Sequence, residues 1–264
     1  MMEKTRIDIY LVEQGMAESR EKARSLIMAG AVTLDGRMCD KPATPVGPEQ
    51  EVRVQQPDEF VSRGGKKLQK AIESFDIDLM GKVAIDVGAS TGGFTDCMLR
   101  SGAKYIYAVD VGYGQLAWRL RQDERVCVME RQNARYLEKD MFDKPVSFAS
   151  IDVSFISLKL ILPALLRVLT PPFTVAALIK PQFEAGRESV GKKGVVRDKA
   201  VHIDVIEDII LFAQGQGFVV CGLDYSPIRG PEGNIEYLLC LKDSGPQGLP
   251  DVRQVAGNAH LNAL

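Results

Sequence analysis

Four charged residues follow apolar segments of this 264-residue sequence, at positions from which functional groups act in α/β proteins. Asp86, Asp110 and Asp152 each end a short apolar run, and Lys180 ends another in the segment A-A-L-I-K-P. A lysine there is poorly solvated at its base, and desolvation favours the neutral amine that can accept a proton. Taken alone, such a lysine is more often an ordinary side chain that extends to water. Because Asp152 ends a neighbouring strand, general-base chemistry is the stronger interpretation.

Two further charged residues could lie in the same cleft as Asp152 and Lys180. Glu236 is a single acid inside an otherwise apolar segment, a position that acids avoid without a partner. Lys67 lies in the basic segment R-G-G-K-K-L-Q-K, which runs from Arg63 to Lys70 and opens a helix before the sheet. Clustered cations at a helix start oppose the helix dipole, which favours negative charge there. The basic segment therefore suggests a nearby anion, such as an RNA phosphate.

A glycine-rich turn precedes these groups. Residues 86–96 read D-V-G-A-S-T-G-G-F-T-D, after an apolar run and before a helix-forming stretch, which predicts a strand, a tight turn and a helix start. Glycines allow sharp bends and the close approach of a ligand. Asp110, which ends the next strand about 20 residues later, is placed to hold the two hydroxyls of a ribose. The pattern predicts a nucleoside cofactor.

The details of the turn favour a methyl donor over a dinucleotide. A dinucleotide site usually reads G-x-G-x-x-G, in which the second glycine admits a pyrophosphate. Here Ser90 stands at the position of that second glycine. Asp86, just before the turn, would repel a pyrophosphate but suits the cationic sulfonium and amino-acid tail of S-adenosylmethionine. We therefore expect S-adenosylmethionine as the cofactor.

The composition excludes several classes of protein. The net charge of −2 gives no global sign of nucleic-acid binding, so such binding must depend on local patches. The five cysteines lack C-x-x-C spacing and the two histidines lie far apart, which argues against a disulfide framework and against a metal site. The sequence starts without an apolar signal core and has no run long enough to span a bilayer. We expect a cytoplasmic protein without a metal and without a membrane partner.

Residues 1–56 are predicted to form a small, separate α+β domain. A first helix ends near Gly15, and a second begins after Ser19, a typical N-cap residue. The Asp35–Gly36 pair then predicts a tight turn between two extended segments. The second helix carries three basic residues interleaved with acids, so its charge alone does not distinguish RNA binding from a solvated helix face.

The rest of the chain is predicted to form an α/β domain. A polar linker spans residues 57–63, the domain covers 64–243, and a tail of 244–264 has little to bury. Alternating strands and helices predict a mostly parallel sheet that is covered on both faces. The last two strands are joined without an obvious helix, so we expect an antiparallel hairpin at the end of the sheet.

These motifs resemble two known families. The patterns R-x-D-x-x-L and S-R-x-x-A-R-x-x-I-x-x-G-x-V, followed by D-G, are similar to the small RNA-binding domain of ribosomal protein S-four. The motifs R-G-G-K-K-L, D-V-G-A-S-T-G-G-F-T-D, I-D-V-S-F, L-I-K-P-Q-F-E and N-I-E-Y-L resemble the FtsJ-type ribose 2′-O-methyltransferases. Among these they most closely resemble the TlyA family, whose members bear both haemolysin and rRNA methyltransferase names.

The resemblance implies a Rossmann-like class I methyltransferase sheet and S-adenosylmethionine-dependent 2′-O-methylation of ribosomal RNA, with cytidine as the nucleotide. Ribosomal RNA or ribosomal subunits would be the partners. The family's Lys-Asp-Lys-Glu tetrad maps to Lys67, Asp152, Lys180 and Glu236, with Lys67 preferred to Lys66 because the family lysine directly precedes a leucine. Cofactor contacts map to Asp86, Gly88, Ser90, Gly92, Asp110 and Asn133. RNA contacts map to Arg6, Arg20, Lys22, Arg24, Arg63 and Lys66.

Three other functions remain open at this point. A base N-methyltransferase would place an acid or Asn before Pro-Pro and an aromatic residue, whereas residues 152–155 keep the acid and the aromatic but lack both prolines. A ribosome-assembly factor without catalytic activity would bind RNA and no methyl donor. A membrane-lytic activity, which the haemolysin name implies, is opposed by the lack of a spanning segment and by helices that read as core-facing.

Overall fold

The computed structural model describes residues 4–28, 30–54, 60–248 and 250–262. The chain divides into two compact units, Met1–Glu59 and Phe60–Leu264. The separate N-terminal domain expected from the sequence is therefore present, and residues 57–59 of the predicted linker lie outside the described residues.

The first unit combines two short helices with two small antiparallel sheets. Ser19 Oγ accepts a hydrogen bond from the backbone N–H of Lys22 (3.2 Å), which confirms the predicted helix cap. Asp35 and Gly36 have φ of 49° and 76°, the left-handed pair that closes a two-residue hairpin. The elements are β1 Thr5–Arg6, α1 Ile7–Glu13, α2 Arg20–Met28, β2 Val32–Leu34, β3 Arg37–Met38, β4 Pro45–Val46 and β5 Val52–Val54.

The second unit is a seven-stranded sheet with helices on both faces. Its elements are α3 Gly64–Ser74, β6 Val83–Val87, α4 Gly93–Arg100, β7 Tyr105–Val109, α5 Trp118–Arg121, β8 Val126–Met129, β9 Val146–Ile151, α6 Leu162–Val168, β10 Leu169–Ile179, α7 Pro181–Glu184, α8 Lys199–Gly215, β11 Val219–Tyr225, β12 Tyr237–Lys242 and α9 Val252–Asn262. The strand order is β11-β12-β10-β9-β6-β7-β8. Strands β6 to β10 pair in parallel, and β12 runs antiparallel to both β10 and β11. The predicted Rossmann-like sheet with a final antiparallel hairpin is confirmed.

The two faces of the sheet pack into separate apolar clusters. Ile85 and Val87 of β6 belong to the cluster on one face, whereas Ala84 belongs to the cluster that contains residues of α3 and α4. Side chains alternate along a strand, so Asp86 points toward the same helices as Ala84. Because both faces are covered, the strands read as continuous apolar runs, which is typical of parallel sheets.

The topology brings three strand ends to one place. From β6 the chain adds β7 and β8 on one side and then returns to β9 on the other, which makes a switch point beside β6. The turn after β6 is tied to both neighbours, since the N–H groups of Gly88 and Ala89 donate to the Val109 carbonyl and the Asp152 N–H donates to the Val87 carbonyl. The carboxyl ends of β6, β7 and β9 therefore form one rigid edge.

The ends of the second unit differ from the sequence-based boundaries. The tail after residue 243 was expected to bury little, but residues 252–262 form α9, whose Ala256 and Ala259 are fully buried in the sheet's core cluster. At the other end, Phe60 is buried and packs so closely on Gly65 that a Cβ at Gly65 would lie 2.2 Å from the ring. The packed unit thus begins before residue 64, the predicted start.

Candidate active site at the carboxyl edge of the sheet

Four charged side chains meet at the carboxyl edge of the sheet. Lys67 comes from the first turn of α3, Asp152 follows β9, Lys180 follows β10 and Glu236 directly precedes β12. The Lys67 Nζ atom lies 2.5 Å from Glu236 Oε2 and 3.8 Å from Asp152 Oδ2. The Lys180 Nζ atom lies 2.5 Å from Asp152 Oδ1. The structure thus brings together all four residues of the predicted set, which we call the tetrad.

The tetrad is shielded from water and balanced in charge. The side chains of Lys67 and Lys180 are each 9% exposed, and Glu236 is 1% exposed. Buried charges are costly unless they are paired, and here two ammonium groups face two carboxylates. Glu236 can therefore occupy a buried position in an apolar segment because Lys67 neutralises it.

Two adjoining cavities open at the tetrad. The first cavity, of about 420 Å³, lies beyond β6, β7 and β9, and the second, of about 310 Å³, lies over Lys67 and Lys180. The residues that line both are Gly88, Ser90, Asp152 and Ser154. A molecule in the first cavity and a second molecule over the lysines would therefore meet at Asp152.

The first cavity has the features of a nucleoside site. The Asp110 carboxylate, at the end of β7, accepts hydrogen bonds from the N–H groups of Ser90 (2.8 Å) and Gly112 (2.7 Å). Each carboxylate oxygen can accept further hydrogen bonds, so the fixed carboxylate can still receive a pair of hydroxyls. Asn133 lines the same cavity, and its Oδ1 caps the short helical turn at 134–136.

Two residues predicted to contact the cofactor do not line either cavity. Asp86 is fully buried under α4, where its carboxylate accepts hydrogen bonds from the hydroxyls of Thr95 (2.6 Å) and Ser150 (3.0 Å), and it lines neither cavity. Gly92 lines neither cavity, and a Cβ there would lie 2.2 Å from the Leu120 side chain. Both residues lie on the inner side of the turn, and their contact with the cofactor stays a prediction.

The burial of Asp86 has a measurable electrostatic effect. Burial raises the pKa of this carboxyl from 3.8 to about 7, although hydrogen bonds from Thr95 and Ser150 act in the opposite direction. Between about pH 4 and pH 7 the folded protein therefore holds a proton that the unfolded chain has released. The free energy of unfolding must fall as the pH rises through this window, by up to about 4 kcal/mol from this group alone.

We expect Asp86→Asn to remove this part of the pH dependence. The free energy of unfolding of the variant should change less than that of the natural protein between pH 4.5 and pH 7.5. Denaturant titrations can follow the fluorescence of Trp118, the single tryptophan of the chain, which reports on the second unit. Asp76→Asn, at an exposed carboxyl just after α3, is the control and should keep the natural slope. An Asp86→Asn slope equal to the natural one would contradict the assignment.

In the first unit, three of the predicted RNA-binding residues meet at one carboxylate. Arg6, Arg20 and Arg24 place their Nε atoms 3.0, 3.0 and 3.3 Å from the carboxylate of Asp8, which is fully buried. Burial alone would raise the pKa of Asp8, but hydrogen bonds from the three arginines outweigh it and lower the pKa to about 2. The arginine side chains are about half exposed, so the guanidinium groups form a fixed cationic cluster at the surface.

The other three predicted RNA contacts occupy different settings. Lys22 is exposed on α2. Arg63 is exposed beside the tetrad and lines the second cavity. Lys66 is exposed on α3, whereas the adjacent Lys67 points into the tetrad. The structure thus separates the two lysines of the R-G-G-K-K-L motif into a surface group and a buried group.

The structure also adds residues that sequence reasoning missed. Ser154 Oγ accepts a hydrogen bond from Lys180 Nζ (3.2 Å). Phe155 is 90% exposed, has a left-handed φ of 62° and packs against Phe183, so an aromatic ring is held open at the rim of the first cavity. The sequence feature that could have identified Ser154 and Phe155 is their position just after Asp152. Asp8 had a signal too, since it lies inside the R-x-D-x-x-L pattern.

Neither a membrane-spanning helix nor a cluster of metal ligands occurs in the part of the chain that the structure describes. Among residues 4–28, 30–54, 60–248 and 250–262, no helix is both long enough and apolar enough to cross a membrane. The same residues contain no group of three or more His, Cys, Asp or Glu side chains that could hold a metal ion.

Comparison with known proteins shows where this architecture recurs. Residues 60–243 match the FtsJ-like methyltransferase family, and residues 5–52 match the S4 domain. The chain is 43% identical over 251 residues to the 16S/23S rRNA (cytidine-2′-O)-methyltransferase TlyA of Mycobacterium tuberculosis, which covers 94% of each protein. It is 53% identical over 265 residues to YqxC of Bacillus subtilis, covering 97% of this chain and 94% of that one. A solved Streptococcus thermophilus protein named a hemolysin superposes with a TM-score of 0.78 at 48% identity, covering 99% of this chain and 98% of that one.

Proposed function

The chain belongs to the TlyA family of FtsJ-like methyltransferases with an S4 domain, and from this we propose that it methylates the ribose 2′-hydroxyl of cytidine in ribosomal RNA. The methyl donor would be S-adenosylmethionine, as the methyltransferase family implies. Ribosomal RNA or ribosomal subunits would be the partners, and their place of assembly makes the protein cytoplasmic.

The observation that carries this proposal is the position of the tetrad between two cavities. A sugar hydroxyl is a weak nucleophile, so a group must accept its proton as the oxygen is methylated. Lys180 lines the second cavity, and its Nζ lies 2.5 Å from Asp152, which lines both cavities, so the amine is next to the place where a donor in the first cavity and a ribose in the second would meet. The other amine of the tetrad, that of Lys67, also lines the second cavity but lies farther from Asp152, at 3.8 Å.

The first cavity fits the donor. Asp110 offers a fixed carboxylate for a ribose diol, and Gly88, Ser90 and Asn133 line the remaining walls. When bound, S-adenosylmethionine supplies a methyl group on a sulfonium, which leaves as a neutral thioether. The carboxylate of Asp152, which lines the same cavity, suits a neighbouring positive charge.

Lys180 would act as the general base. In the structure its ammonium is paired with Asp152, so it must release a proton to solvent before it can accept one from the hydroxyl. Lys67, at 3.8 Å, provides a second cation beside the Asp152 carboxylate. Glu236 holds Lys67 in this position. General-base assistance of this kind contributes about 10²–10⁴-fold to a rate.

The chemical test uses ribosomal subunits from a strain that lacks the protein. Incubation with the pure protein and methyl-labelled S-adenosylmethionine should place the label on a ribose, so that one phosphodiester bond becomes resistant to alkali. Label recovered on a nucleobase would instead show a base N-methyltransferase. Calorimetry that detects no binding of S-adenosylmethionine would favour an RNA-binding assembly factor, and leakage of liposomes caused by the pure protein would support the haemolysin name.

The S4 unit would hold the RNA through its arginine cluster. Phosphate contacts position an RNA without reading its sequence, and arginine suits them because its fork of N–H donors matches phosphate oxygens. The Nε atoms of Arg6, Arg20 and Arg24 face Asp8, so each guanidinium has further donors to offer a phosphate. Asp8 would thus be a positioning residue for three RNA contacts.

We expect Asp8→Asn to weaken RNA binding although it makes the protein more positive. Without the carboxylate the three arginines lose their common anchor, and we expect the affinity for ribosomal subunits to fall about tenfold, with a shallower dependence on salt. Filter binding at several salt concentrations measures both quantities. Glu21→Gln makes the same charge change on α2 at an exposed acid that pairs with none of these arginines, so its affinity should equal or exceed the natural value. Tighter binding by Asp8→Asn would contradict the positioning role.

A further inference from the structure

Three cavities of the second unit adjoin one another along a path that starts at the tetrad. The second cavity, which contains Lys67 and Lys180, is also lined by Arg229. Another cavity of about 430 Å³ shares Arg229 and continues to Arg197. A further cavity of about 440 Å³ shares Arg197 and adds Lys192 and Lys193. We call this path, defined by Arg229, Arg197, Lys192 and Lys193, the basic groove.

The charges along the basic groove are predominantly positive. Lys192, Lys193 and Arg197 are exposed, and none of them pairs with a carboxylate of the described residues. Two acids, Asp198 and Glu232, also line these cavities. Asp198 is engaged in capping α8, because its Oδ1 accepts a hydrogen bond from the Ala200 N–H (2.8 Å). The groove therefore offers several cations to an anionic partner.

The wall of the basic groove is anchored by buried side chains. Asn234, which is 2% exposed, donates from Nδ2 to the Gly194 carbonyl (2.9 Å) and accepts from the Val196 N–H (3.1 Å). His202 is fully buried and its Nε2 lies 3.0 Å from the Val196 carbonyl, which can only accept, so this nitrogen carries the proton. The Tyr237 hydroxyl then donates to His202 Nδ1 (2.7 Å). Residues 194–196 are thus held at three backbone atoms by side chains of the protein.

The anchor also connects the basic groove to the tetrad. Asn234 lies two residues before Glu236 in the chain, and Tyr237 directly follows it. The chain segment that positions the Lys67 partner is therefore the same one that holds the groove wall. A partner seated along the groove would be aligned with the reaction centre.

We propose that the basic groove holds the sugar–phosphate backbone of the RNA strand on one side of the methylated nucleotide. The proposal rests on the proposed function, because a ribose that reaches Lys180 belongs to a chain whose next phosphates must leave the second cavity. The basic groove is an exit from that cavity with cations at successive positions. Cations along such a path bind a strand through its phosphates and impose no sequence preference.

The test compares two double variants of the full chain on ribosomal subunits from a strain that lacks the protein. Lys192→Ala/Lys193→Ala removes two exposed cations of the groove. Lys82→Ala/Lys104→Ala removes two lysines that directly precede β6 and β7, at the opposite edge of the sheet. We expect the groove variant to raise KM for subunits about tenfold, to leave kcat within twofold, and to reduce the slope of log affinity against log salt by roughly 1.4. The control variant should match the natural protein in all three.

The results distinguish failure of the basic-groove proposal from failure of the proposed function. An unchanged KM and salt slope in the groove variant would overturn the proposal, and so would an equal loss in the control variant, which would show a general charge effect. Absence of methyl transfer by the natural protein would overturn the proposed function itself. In that case filter binding of the same subunits still tests the groove, since an affinity loss confined to Lys192→Ala/Lys193→Ala supports it and equal affinities refute it.

Discussion

Replacement of Lys180 by alanine should reduce methyl transfer to ribosomal RNA by at least about 10³-fold, within the range expected for loss of a general base. The variant should still bind S-adenosylmethionine with nearly natural affinity, because Lys180 does not line the first cavity. Single-turnover methylation of ribosomal subunits measures the rate, and calorimetry measures cofactor binding. Normal turnover by the variant would refute the role of Lys180.

A second variant separates proton transfer from charge. Lys180→Arg keeps a cation that can pair with Asp152, but a guanidinium stays protonated and cannot serve as a base. We expect this variant to be as inactive as Lys180→Ala while unfolding closer to the natural protein. Lys159→Ala, at a surface lysine paired with Asp208, is the control and should stay within twofold. A fully active Lys180→Arg would show that only the positive charge matters.

The second large effect is expected at Gly88. This residue has φ of +86°, and a Cβ added to it would lie 2.4 Å from the Asp152 carbonyl oxygen, closer than any real contact of that kind. Gly88→Ala must therefore displace the turn or the end of β9, and displacements of about 1 Å at a reacting centre can cost 10²-fold in rate. We expect Gly88→Ala to lose at least about 10²-fold in methyl transfer and also to weaken cofactor binding, since Gly88 lines both cavities.

A control glycine with a similar φ separates the effect of the steric clash from the free-energy cost of a left-handed alanine. Gly217 has a similar φ of +96°, but nothing lies within 4 Å of the position that its Cβ would take. Gly217→Ala should therefore lose only the roughly 1–2 kcal/mol of a left-handed alanine and keep natural activity. If Gly88→Ala and Gly217→Ala lose equal stability and neither loses activity, the close approach of Gly88 to the Asp152 carbonyl is not required for function.

Much of the second unit could be predicted from the sequence because its signals are local. Each apolar run that ended in a charged residue became a strand of the sheet, and the parallel topology then placed those strand ends together. This rule alone predicts that Asp152 and Lys180 lie close together. Lys67 and Glu236 come from elements outside the parallel part, and their places were predicted from the family resemblance and not from the pattern alone.

The direction of Asp86 could not be read in the same way. Its neighbours on β6 are apolar on both sides, because both faces of the sheet are covered, so the pattern does not tell which face meets the cofactor. The cluster at Asp8 was missed for another reason. Arg20 and Arg24 reach it from 12 and 16 residues away, and only the packing of α1 against α2 brings them there.

The helix α9 was missed because its apolar residues are small. Val252, Val255, Ala256 and Ala259 have helical spacing, but alanines bury little area, so the segment reads as weakly hydrophobic. In the structure this helix covers part of α8 and β11, and its buried alanines complete the core cluster on that face.

The position of α9 affects how the protein can be shortened. The family match ends at residue 243, so a truncation there would follow a natural boundary in sequence but would cut through the folded unit. The apolar surfaces of α8 and β11 that α9 covers would become solvent-exposed, and exposed patches of this kind promote aggregation. The shortest stable fragment of the methyltransferase unit should therefore extend to at least residue 262.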